Sequence, residues 1–560
     1  MKASLLRMLG ILALGSTIAW ANQAPTVHWN LGAYTPFPSV GGGGWFQVAE
    51  PIANDPDNDG MSLQVYYLTP GGNFNDANAW QAFIYNPVSN STDFSTLRYW
   101  VQPRTDGKAM IFRAEAIDSH GTSSGKIYQL VKANGTSFVL DDLPQDTSHY
   151  DSSSPSTLHY QFLNCGAHQI NSRILGGVIN SLTNLNQRTI WFQDGVYDFD
   201  SSWGRHFTGP WEGEYNPTNG IPDPTKPTTW HQIKSFEEEA AKVEVISDQN
   251  QQYIYNPGSL GTLNTCFNIT FRAENIRGAV LRWASYSSTG TTHPSGVNDP
   301  SQLFITSGRV YGNAALQANQ QTYTRVNTGL IGTEPRPWPL PAPFISVNES
   351  CANIRFLGLQ FVGNYSLKGV NSRADRGVHL EISANNTDVN DCTFSTGPGW
   401  SVLVSPHGTV NGTVNAQYVH FNSNAFNATS GDGLNVQGGD HTYIVGNTFT
   451  NTGDDAIVIN GGSDNHVWNN TIFSSGWRGI LVVGETNSDV LNNTIANTAL
   501  FPISISPDGG ATTTNINVTG NVLLGGGNYA HHDPSENYSG VSNIQIGDVN
   551  NDSSHTIQPW

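Results

Sequence analysis

Three aspartates are spaced so that they could carry out acid–base chemistry together. Asp432 begins the segment DGLNVQGG, and Asp455 begins DAIVINGG 23 residues later (455 − 432), with Asp454 directly before it. Neighbouring carboxylates raise one another's pKa, and acid–base catalysis requires a protonated acid beside ionised carboxylates. The same groups could instead hold a metal ion or be solvated turn residues. Whether they meet in space depends on the elements that carry them.

Those elements form a repeat. Segments that begin at Asp432, Asp455, Arg478 and Phe501 follow one another every 23 residues, and segments at Arg376 and Trp400 fit the same frame upstream. Each has apolar residues two and four positions after its first residue: Val378 and Leu380, Val402 and Val404, Leu434 and Val436, Ile457 and Ile459, Ile480 and Val482, Ile503 and Ile505. Alternate apolar residues in a short repeat indicate stacked coils that bury one face together. The sequence therefore predicts an all-β chain with a right-handed parallel β-helix.

The repeat frame predicts which residues share a column across the coils. The first residues of the coils form the column Arg376, Trp400, Asp432, Asp455, Arg478 and Phe501. Neighbouring coils lie about 4.8 Å apart, so the three aspartate carboxylates are expected within one small patch. A second column, Asn447, Asn470 and Asn493, has the same spacing and is predicted to be a structural ladder at a turn.

The segments Ser430–Gly433 and Thr452–Ile457 resemble the site of β-helix glycoside hydrolases, which include polygalacturonases, dextranases and α-1,3-glucanases. The resemblance covers the repeat pattern of residues 370–525 and implies a pectin-lyase-like solenoid. It implies that Asp454 is the general acid, and that Asp432 and Asp455 activate water for inversion at the anomeric carbon. The expected spacing instead favours retention of the anomeric configuration, because carboxyl groups about 5 Å apart are typical of retaining enzymes.

The sequence departs from polygalacturonases one coil after the aspartate pair. Trp477-Arg478-Gly479 stands where those enzymes carry Gly-His-Gly, and no Arg-x-Lys follows. The chain has 25 basic and 44 acidic residues, a net charge of −19, which also disfavours polyanionic substrates, nucleic acid and anionic membranes. We therefore expect a neutral glycan as substrate, with α-glucans such as dextran or α-1,3-glucan favoured, and no cofactor or catalytic metal.

Polar and aromatic residues on the same strands are candidates for substrate binding. Amides that point away from the core can hydrogen-bond sugar hydroxyls, and indole rings can stack on pyranose rings. The predicted substrate-binding residues are Arg478, Asn435, Gln437, Asn460, Trp400, Trp477, Arg376, His379 and Glu381.

The rest of the chain predicts an exported protein. Residues 1–21 have the basic start, short apolar run and small-residue cleavage site of a signal peptide. Residues 22–138 predict an immunoglobulin- or cadherin-like β-sandwich, residues 139–158 a linker, and residues 159–560 the β-helix catalytic domain. The acidic loop Asp55–Gly60 could bind calcium or form a solvated turn.

Secretion has further consequences for the side chains. The four cysteines, Cys165, Cys266, Cys351 and Cys392, are expected to form two structural disulfides of open connectivity. Thirteen Asn-x-Ser/Thr sites allow N-glycosylation if the host glycosylates. His531-His532-Asp533 is interpreted as a surface loop rather than a metal site. We expect a secreted monomer.

Two other functions fit the same residues. In a polysaccharide lyase or epimerase, the three aspartates would hold calcium and Arg478 would abstract a proton next to a uronate carboxylate. In a glycan-binding solenoid, the surface would bind sugar without turnover. A calcium requirement with unsaturated products would identify the lyase, and glycan binding that survives removal of the carboxylates would identify the binding protein.

Overall fold

The structure is a computed structural model, and it describes a large part of the 560-residue chain. The described residues are 22–30, 46–48, 50–58, 60–83, 99–101, 104–132, 138–149, 152, 154–166, 168–199, 205–207, 245–248, 251–255, 262–263, 265–283, 342–363, 377–396, 400–405, 407–409, 412–429, 431–506, 512–525, 531 and 540–550. The predicted signal peptide lies outside these residues. No helix in the described ranges is long and apolar enough to cross a membrane.

The N-terminal part consists of antiparallel strands: Thr26–Asn30, Phe46–Val48, Glu50–Asn54, Met61–Leu68, Trp80–Ala82, Tyr99–Val101, Met110–Asp118 and Ile127–Val131. Met61–Leu68 lies at the centre of a four-stranded sheet, and the other pairs form two-stranded sheets. Trp29 of the first strand packs with Val65 and Phe112 of the four-stranded sheet. The antiparallel pairing agrees with the expected class, while the sandwich arrangement and the domain bounds remain predictions.

Part of the predicted linker is packed rather than solvated. A short 3-10 helix covers Leu140–Asp142, and Leu140 and Leu143 are buried. They belong to the same apolar cluster as Trp80 of the N-terminal sheet and Phe162 of the first coil. Residues 138–149 therefore connect the two parts through a shared core.

The remaining strands wind into coils with three parallel sheets. Sheet 1 contains Thr262–Leu263, Ala342–Val347, Gly377–Ile382, Trp400–Val404, Leu434–Gln437, Ile457–Asn460, Ile480–Val483 and Ile503–Ser506. Sheet 2 contains Leu158–Phe162, Asn186–Phe192, Phe267–Ala273, Ala352–Leu357, Asn385–Asn390, Val419–Asn422, Tyr443–Val445, His466–Trp468, Asp489–Leu491, the first half of Thr513–Leu524, and Val541–Asn550. Sheet 3 contains Gly195–Phe199, Ala279–Trp283, Leu359–Val362, Thr393–Ser395, Ala425–Asn427, Thr448–Thr452, Thr471–Ser475, Thr494–Thr498 and the second half of Thr513–Leu524. This is the predicted parallel β-helix.

Short strands lie outside the three sheets: Arg205–Phe207, Val245–Asp248, Gln251–Tyr255, His407–Thr409, Gly412–Val414, Ala416–Gln417 and Gly439–Asp440. The last two pair with each other in parallel. The first three form an antiparallel three-stranded sheet, and His407–Thr409 and Gly412–Val414 form an antiparallel hairpin.

The 23-residue repeat is confirmed by the register of sheet 1. Leu434 pairs with Ile457, Ile457 with Ile480, and Ile480 with Ile503. These side chains are fully buried, and behind them the rings of Phe426 and Phe449 stack 4.5 Å apart. The repeat therefore places its apolar residues in one continuous core.

The predicted frame is wrong for the coil that contains Gly377–Ile382. Val402 pairs with Leu380 and not with Val378, so Val378 is the residue opposite Trp400. The strand carries three alternate apolar residues, Val378, Leu380 and Ile382, and all three are buried. The alternation alone therefore permits two registers that differ by two residues.

A helix, His168–Ser181, packs on the first coils and is the one α-helix in the described ranges. Its residues Ile174, Leu175, Val178 and Ile179 are buried in the core. Apolar residues spaced three or four apart are the mark of an amphipathic helix. This helix is therefore an addition to the predicted all-β architecture.

The cysteines are four buried thiols. Cys266 and Cys351 lie on neighbouring coils with their Sγ atoms 3.2 Å apart. Cys165 and Cys392 are also buried, but they do not pair with another cysteine. The two expected disulfides are therefore not formed in this structure.

Two smaller expectations also concern polar clusters. The Asp55 carboxylate accepts the backbone N–H groups of Asp57 and Gly60, each at 3.0 Å, which is the geometry of a turn; calcium binding there remains an untested prediction. His531 is wrongly interpreted as a surface residue, because it is fully buried and its Nε2 lies 2.9 Å from Asp548 Oδ2.

Candidate active site

The two Asp-containing turns lead into neighbouring strands of sheet 1. Asp432 precedes Leu434–Gln437, and Asp455 precedes Ile457–Asn460. The Gly433 N–H donates to the carbonyl oxygen of Asp455 at 3.0 Å, which holds the two turns together. A Cβ atom at Gly433 would lie 2.6 Å from a ring carbon of Phe449. Glycine after Asp432 therefore permits the close packing that brings the aspartates together.

The three carboxylates form one compact cluster. One oxygen from each of Asp432, Asp454 and Asp455 lies within 4.8 Å of the other two. Asp432 and Asp455 are 5% and 4% exposed, and Asp454 is half-buried. Asp454 is thus the member of the cluster that is most accessible to a ligand.

Hydrogen bonds fix the two buried members. The Asn435 Nδ2 donates to Asp432 Oδ2 at 2.6 Å, and the backbone N–H of Asp455 donates to Asp432 Oδ1 at 3.2 Å. The backbone N–H of Arg478 donates to Asp455 Oδ1 at 2.9 Å, and Arg478 Nη1 lies 3.5 Å from Asp455 Oδ2. Arg478 also lies over the ring of Trp477 at 4.6 Å. The cluster is therefore oriented by residues of the same and the following coil.

Burial and mutual repulsion keep protons on this cluster. Burial, followed by the charges of Asp454 and Asp455, raises the pKa of Asp432 well above its ordinary value. Burial and the charge of Asp454 raise the pKa of Asp455 to about 7, although Arg478 acts in the opposite direction. Coupled carboxyl groups titrate as a set. Near neutral pH the cluster can therefore both donate and accept a proton.

Three carboxylates can also hold a divalent cation. Ca²⁺ and Mg²⁺ prefer oxygen ligands, and the oxygens here are close enough to share one ion. Asn435 and Arg478 already engage oxygens of two of the carboxylates. The donor set fits a cation, but with few protein ligands left to complete its coordination.

Most of the predicted substrate-binding residues lie around this cluster. Trp400 belongs to the preceding coil and is half-buried, and its neighbour Ser401 donates its backbone N–H to the Asp432 carbonyl at 3.1 Å. Trp477 is half-buried, and its backbone N–H donates to the Asp454 carbonyl oxygen at 3.2 Å. Gln437 and Asn460 pair in register on neighbouring strands, two residues after the pair Asn435 and Val458. The two indoles therefore lie on the coils before and after the aspartates.

Three predicted residues have a different place. Arg376 lies outside the described residues. His379 is 1% exposed and packs near the core rings of Phe361 and Phe394, at 6.1 and 5.8 Å, and burial lowers its pKa to about 3. The prediction that His379 reaches the substrate is wrong, because its side chain belongs to the core. Asn435 is only 4% exposed and supports Asp432, so it is not free to bind sugar.

Glu381 lies on the outward face of sheet 1 but is enclosed. Its two carboxylate oxygens accept the hydroxyls of Ser346 and Ser405, at 3.2 and 3.1 Å. Burial raises its pKa. Glu381 is thus a polar group held on the same sheet as the aspartates, two strands before Asn435.

An apolar patch that the repeat does not predict lies beside the cluster. Val458, Leu481 and Val483 form it on the outward face of sheet 1, in register with Asn435 and Asn460. The signal was the run Ile480-Leu481-Val482-Val483, which is apolar on both faces of a strand. The outward face therefore carries an apolar patch directly beside Asn435 and Asn460.

Comparison with known proteins agrees with the fold. Residues 376–544 match the sequence model of the right-handed β-helix region, which confirms the predicted handedness. No curated protein matches this sequence.

Similar solved structures have low sequence identity. Tailspike protein 2 of Escherichia coli O157:H7 bacteriophage CAB120 is 7% identical with a TM-score of 0.36, over 81% of this chain and 45% of the tailspike. The A-module of an Azotobacter vinelandii mannuronan C-5 epimerase is 10% identical with a TM-score of 0.29, over 66% of this chain and 89% of that chain. The catalytic unit of a GH87 α-1,3-glucanase from Streptomyces thermodiastaticus is 9% identical with a TM-score of 0.24, over 92% and 89%. The chain spans less than half of the tailspike's length, and similarities of this size carry no argument about activity.

Proposed function

We propose that this protein is a secreted glycoside hydrolase that cleaves a neutral glycan, with an α-glucan such as dextran or α-1,3-glucan as the favoured substrate. The observation that supports this proposal is the cluster of three carboxylates whose oxygens lie within 4.8 Å. Its buried members have raised pKa values. Glycoside hydrolysis needs one protonated and one ionised carboxyl group at the scissile bond.

The proposed reaction assigns a role to each aspartate. Asp454, the most accessible, donates a proton to the leaving glycosidic oxygen as the C1–O bond breaks. Asp432 and Asp455 hold a water molecule, and the ionised member of this coupled pair accepts its proton as the water oxygen bonds to C1. Asn435 and Arg478 are positioning residues, because they orient the carboxylates of Asp432 and Asp455.

The surroundings favour a neutral substrate. The Arg478 guanidinium faces Asp455 and lies over the Trp477 ring, so it is already engaged and does not offer a free cation to a uronate. Trp400 and Trp477 can stack on sugar rings. Gln437 and Asn460 supply amides for sugar hydroxyls.

The stereochemical course separates two mechanisms. The resemblance to β-helix hydrolases implies inversion, whereas the short distance between the carboxylates is closer to that of retaining enzymes. We propose inversion, with water held by Asp432 and Asp455. Proton NMR of the first-formed product would show the opposite anomer from the substrate; the same anomer would assign one carboxylate as a nucleophile.

The test is reducing-sugar release from a panel of polysaccharides by the mature protein, with and without EDTA. The panel contains dextran, α-1,3-glucan, nigeran, pullulan, galactans and polygalacturonate. Asp454→Asn is compared with Asp464→Asn, a matched neutralisation at a residue of positive φ that asparagine also adopts. Release from a neutral glycan that resists EDTA and is lost only in Asp454→Asn supports the proposal. No release from any neutral glycan contradicts it.

A calcium-dependent lyase or epimerase is the second candidate. The three oxygens within 4.8 Å of one another also suit a cation, which is the observation that favours it. Activity restricted to polygalacturonate, abolished by EDTA and accompanied by unsaturated products, would support this alternative. Glycan binding without turnover, retained in Asp454→Asn, would instead indicate a binding protein.

A further inference from the structure

A second groove lies on the outward face of sheet 2, away from the aspartate cluster on sheet 1. Its volume is about 340 Å³, within the range of small-ligand sites. Its floor is formed by alternate residues of adjacent strands, with Thr189 beside Thr270 and Trp191 beside Arg272. The following strand contributes Arg355, which pairs with Thr270. Because the groove belongs to another sheet and to earlier coils, it is separate from the candidate active site.

The charge of this groove is opposite to that of the protein. Among its lining residues are two arginines, Arg272 and Arg355, and no aspartate or glutamate. The whole chain has 44 acidic and 25 basic residues. A cationic groove on such a protein favours an anionic ligand, since the positive potential is local to the groove.

Arg272 is placed to receive that ligand. Its guanidinium lies over the Trp191 ring at 4.2 Å, and its buried Nε has no hydrogen-bond partner. Burial lowers the pKa of Arg272, and Glu274 partly offsets this effect from a distance. Arg355, in contrast, has a carboxylate partner, because its Nε lies 3.3 Å from Asp388 Oδ2. A partly buried guanidinium without such a partner is costly, and a bound carboxylate or sulfate would remove that cost.

Trp191 is held rigidly under Arg272. The His149 ring stacks on the indole of Trp191 at 3.7 Å. The Trp191 Nε1–H donates to His159 Nδ1 at 3.0 Å. Both faces of the indole are therefore occupied, and Trp191 serves to fix Arg272 rather than to stack on a sugar.

The rest of the lining suits a polyhydroxylated ligand. Thr189 and Thr270 offer hydroxyls, and Asn268 and Asn353 offer amides on the adjacent row. The Asn353 Nδ2 donates to Asn268 Oδ1 at 3.1 Å, and this hydrogen bond orders the two amides. Hydroxyls and amides can both donate to and accept from sugar hydroxyls.

We propose that this groove binds an anionic saccharide, with the carboxylate or sulfate group on Arg272 and the sugar hydroxyls on the surrounding threonine and asparagine side chains. The site would attach the protein to an acidic glycan independently of what the aspartates cleave. If this groove does not bind an anionic saccharide, the proposed hydrolysis is unaffected. If the aspartates do not hydrolyse a glycan, the proposed binding is likewise unaffected.

The test is calorimetric titration of the full mature chain with trigalacturonate, sulfated maltotriose, maltotriose and sodium sulfate. The protein is made in a host without N-glycosylation, because Asn268-Ile269-Thr270 is a glycosylation site in the groove. We expect trigalacturonate or sulfated maltotriose to bind at least about tenfold more tightly than maltotriose and sodium sulfate. Comparison of the two anionic ligands identifies the carboxylate or the sulfate as the recognised group.

Variants assign the binding to the groove. Arg272→Gln should weaken binding by about tenfold or more. The control variants Arg282→Gln and Asp454→Asn should not change it; Arg282 is an arginine paired with Asp198. If Arg272→Gln fails to fold, Thr270→Val keeps the strand and should weaken binding about threefold through a lost hydrogen bond. The proposal would be overturned if anionic and neutral saccharides bind equally, or if sulfate binds as tightly as sulfated maltotriose. Affinity that is unchanged in the folded variants would also overturn it.

Discussion

The same 23-residue repeat builds two polar columns with opposite properties. In the asparagine ladder, Asn424, Asn447, Asn470 and Asn493 are almost fully buried, and each Nδ2 donates both to the next asparagine and to a backbone carbonyl of the preceding coil. The bonds to the next asparagine measure about 3.0 Å and those to the carbonyls 2.8–2.9 Å. In the aspartate column, Asp432 and Asp455 are buried nearly as deeply, yet they face one another and Asp454 with like charges.

The difference separates a structural column from a chemical one. The ladder satisfies its buried polar atoms, so it stabilises the coils and has no proton to exchange. The aspartate cluster keeps raised pKa values that cost stability, and the proposed function uses them for acid–base chemistry. Substitution in the two columns should therefore have opposite consequences for activity and stability.

The largest expected effect is on activity at the aspartate column. Asp454→Asn should lower kcat by about 10²–10⁴-fold, because a general acid contributes that much. Its unfolding temperature should stay the same or rise, since one of three like charges is removed. Reducing-sugar assays and thermal unfolding measure the two quantities, and a variant that loses activity by unfolding would contradict the separation of roles.

The opposite pattern is expected in the ladder. Asn470→Leu removes the oxygen that accepts both the backbone N–H and the Nδ2 of Asn447. Leaving buried donors unpaired costs about 1–3 kcal/mol each, so the free energy of unfolding should fall by at least about 2 kcal/mol. Denaturant titration measures this loss, while kcat of the folded variant should match the wild type. A fall in kcat with unchanged stability would place the ladder in the chemistry.

The pH dependence of stability sharpens the same contrast. The pKa of Asp455 is raised from 3.8 to about 7, so the folded protein holds a proton that the unfolded chain has released within this window. The contribution of this group to the free energy of unfolding is fully present below pH 3.8. It is lost as the pH rises towards 7, by up to about 1.4 kcal/mol per pH unit for one proton. Relative to Asp455→Asn, the wild type should therefore lose stability between these pH values. Denaturant titrations at several pH values test this; a constant difference would show that Asp455 does not hold the proton.

The smallest expected effect is at Arg478. Its guanidinium lowers the pKa of Asp455, so Arg478→Met should move the acid limb of the kcat/KM profile to higher pH by up to about one unit. Arg282→Met, on sheet 3 and paired with Asp198, is the control and should leave the profile unchanged. A uniform fall in kcat/KM without any shift would mean that Arg478 acts on the substrate instead.

Much of the fold and of the cluster could be predicted because both follow from the repeat. A fixed interval determines which residues stack, so Asp432 and Asp455 could be placed together without any structure. The prediction failed where the pattern was degenerate: three alternate apolar residues at Val378, Leu380 and Ile382 allow two registers. His379 is buried together with Val378 and Leu380 on either side of it, so a period of two does not predict its position.

Contacts between distant segments could not be predicted in the same way. The groove around Arg272 depends on strands separated by about 80 residues, such as Asn186–Phe192 and Phe267–Ala273. The contact of Asn435 with Asp432 joins residues of the same turn and strand, but it depends on the side-chain rotamer and could not be predicted either. The intervals between the early coils vary, so no period aligns them. The helix His168–Ser181 has apolar residues at helical spacing, but this signal is weak in a segment that is otherwise rich in polar residues and glycine.

In the proposed function, the aspartate cluster hydrolyses a glycosidic bond without a metal ion. The most direct test is mass spectrometry of the products made from a neutral α-glucan in water labelled with the heavy oxygen isotope, in the presence of EDTA. Hydrolysis predicts one labelled oxygen at each new reducing end, and no product from Asp454→Asn. Unlabelled, unsaturated products, or no cleavage by the wild-type protein, would contradict the claim.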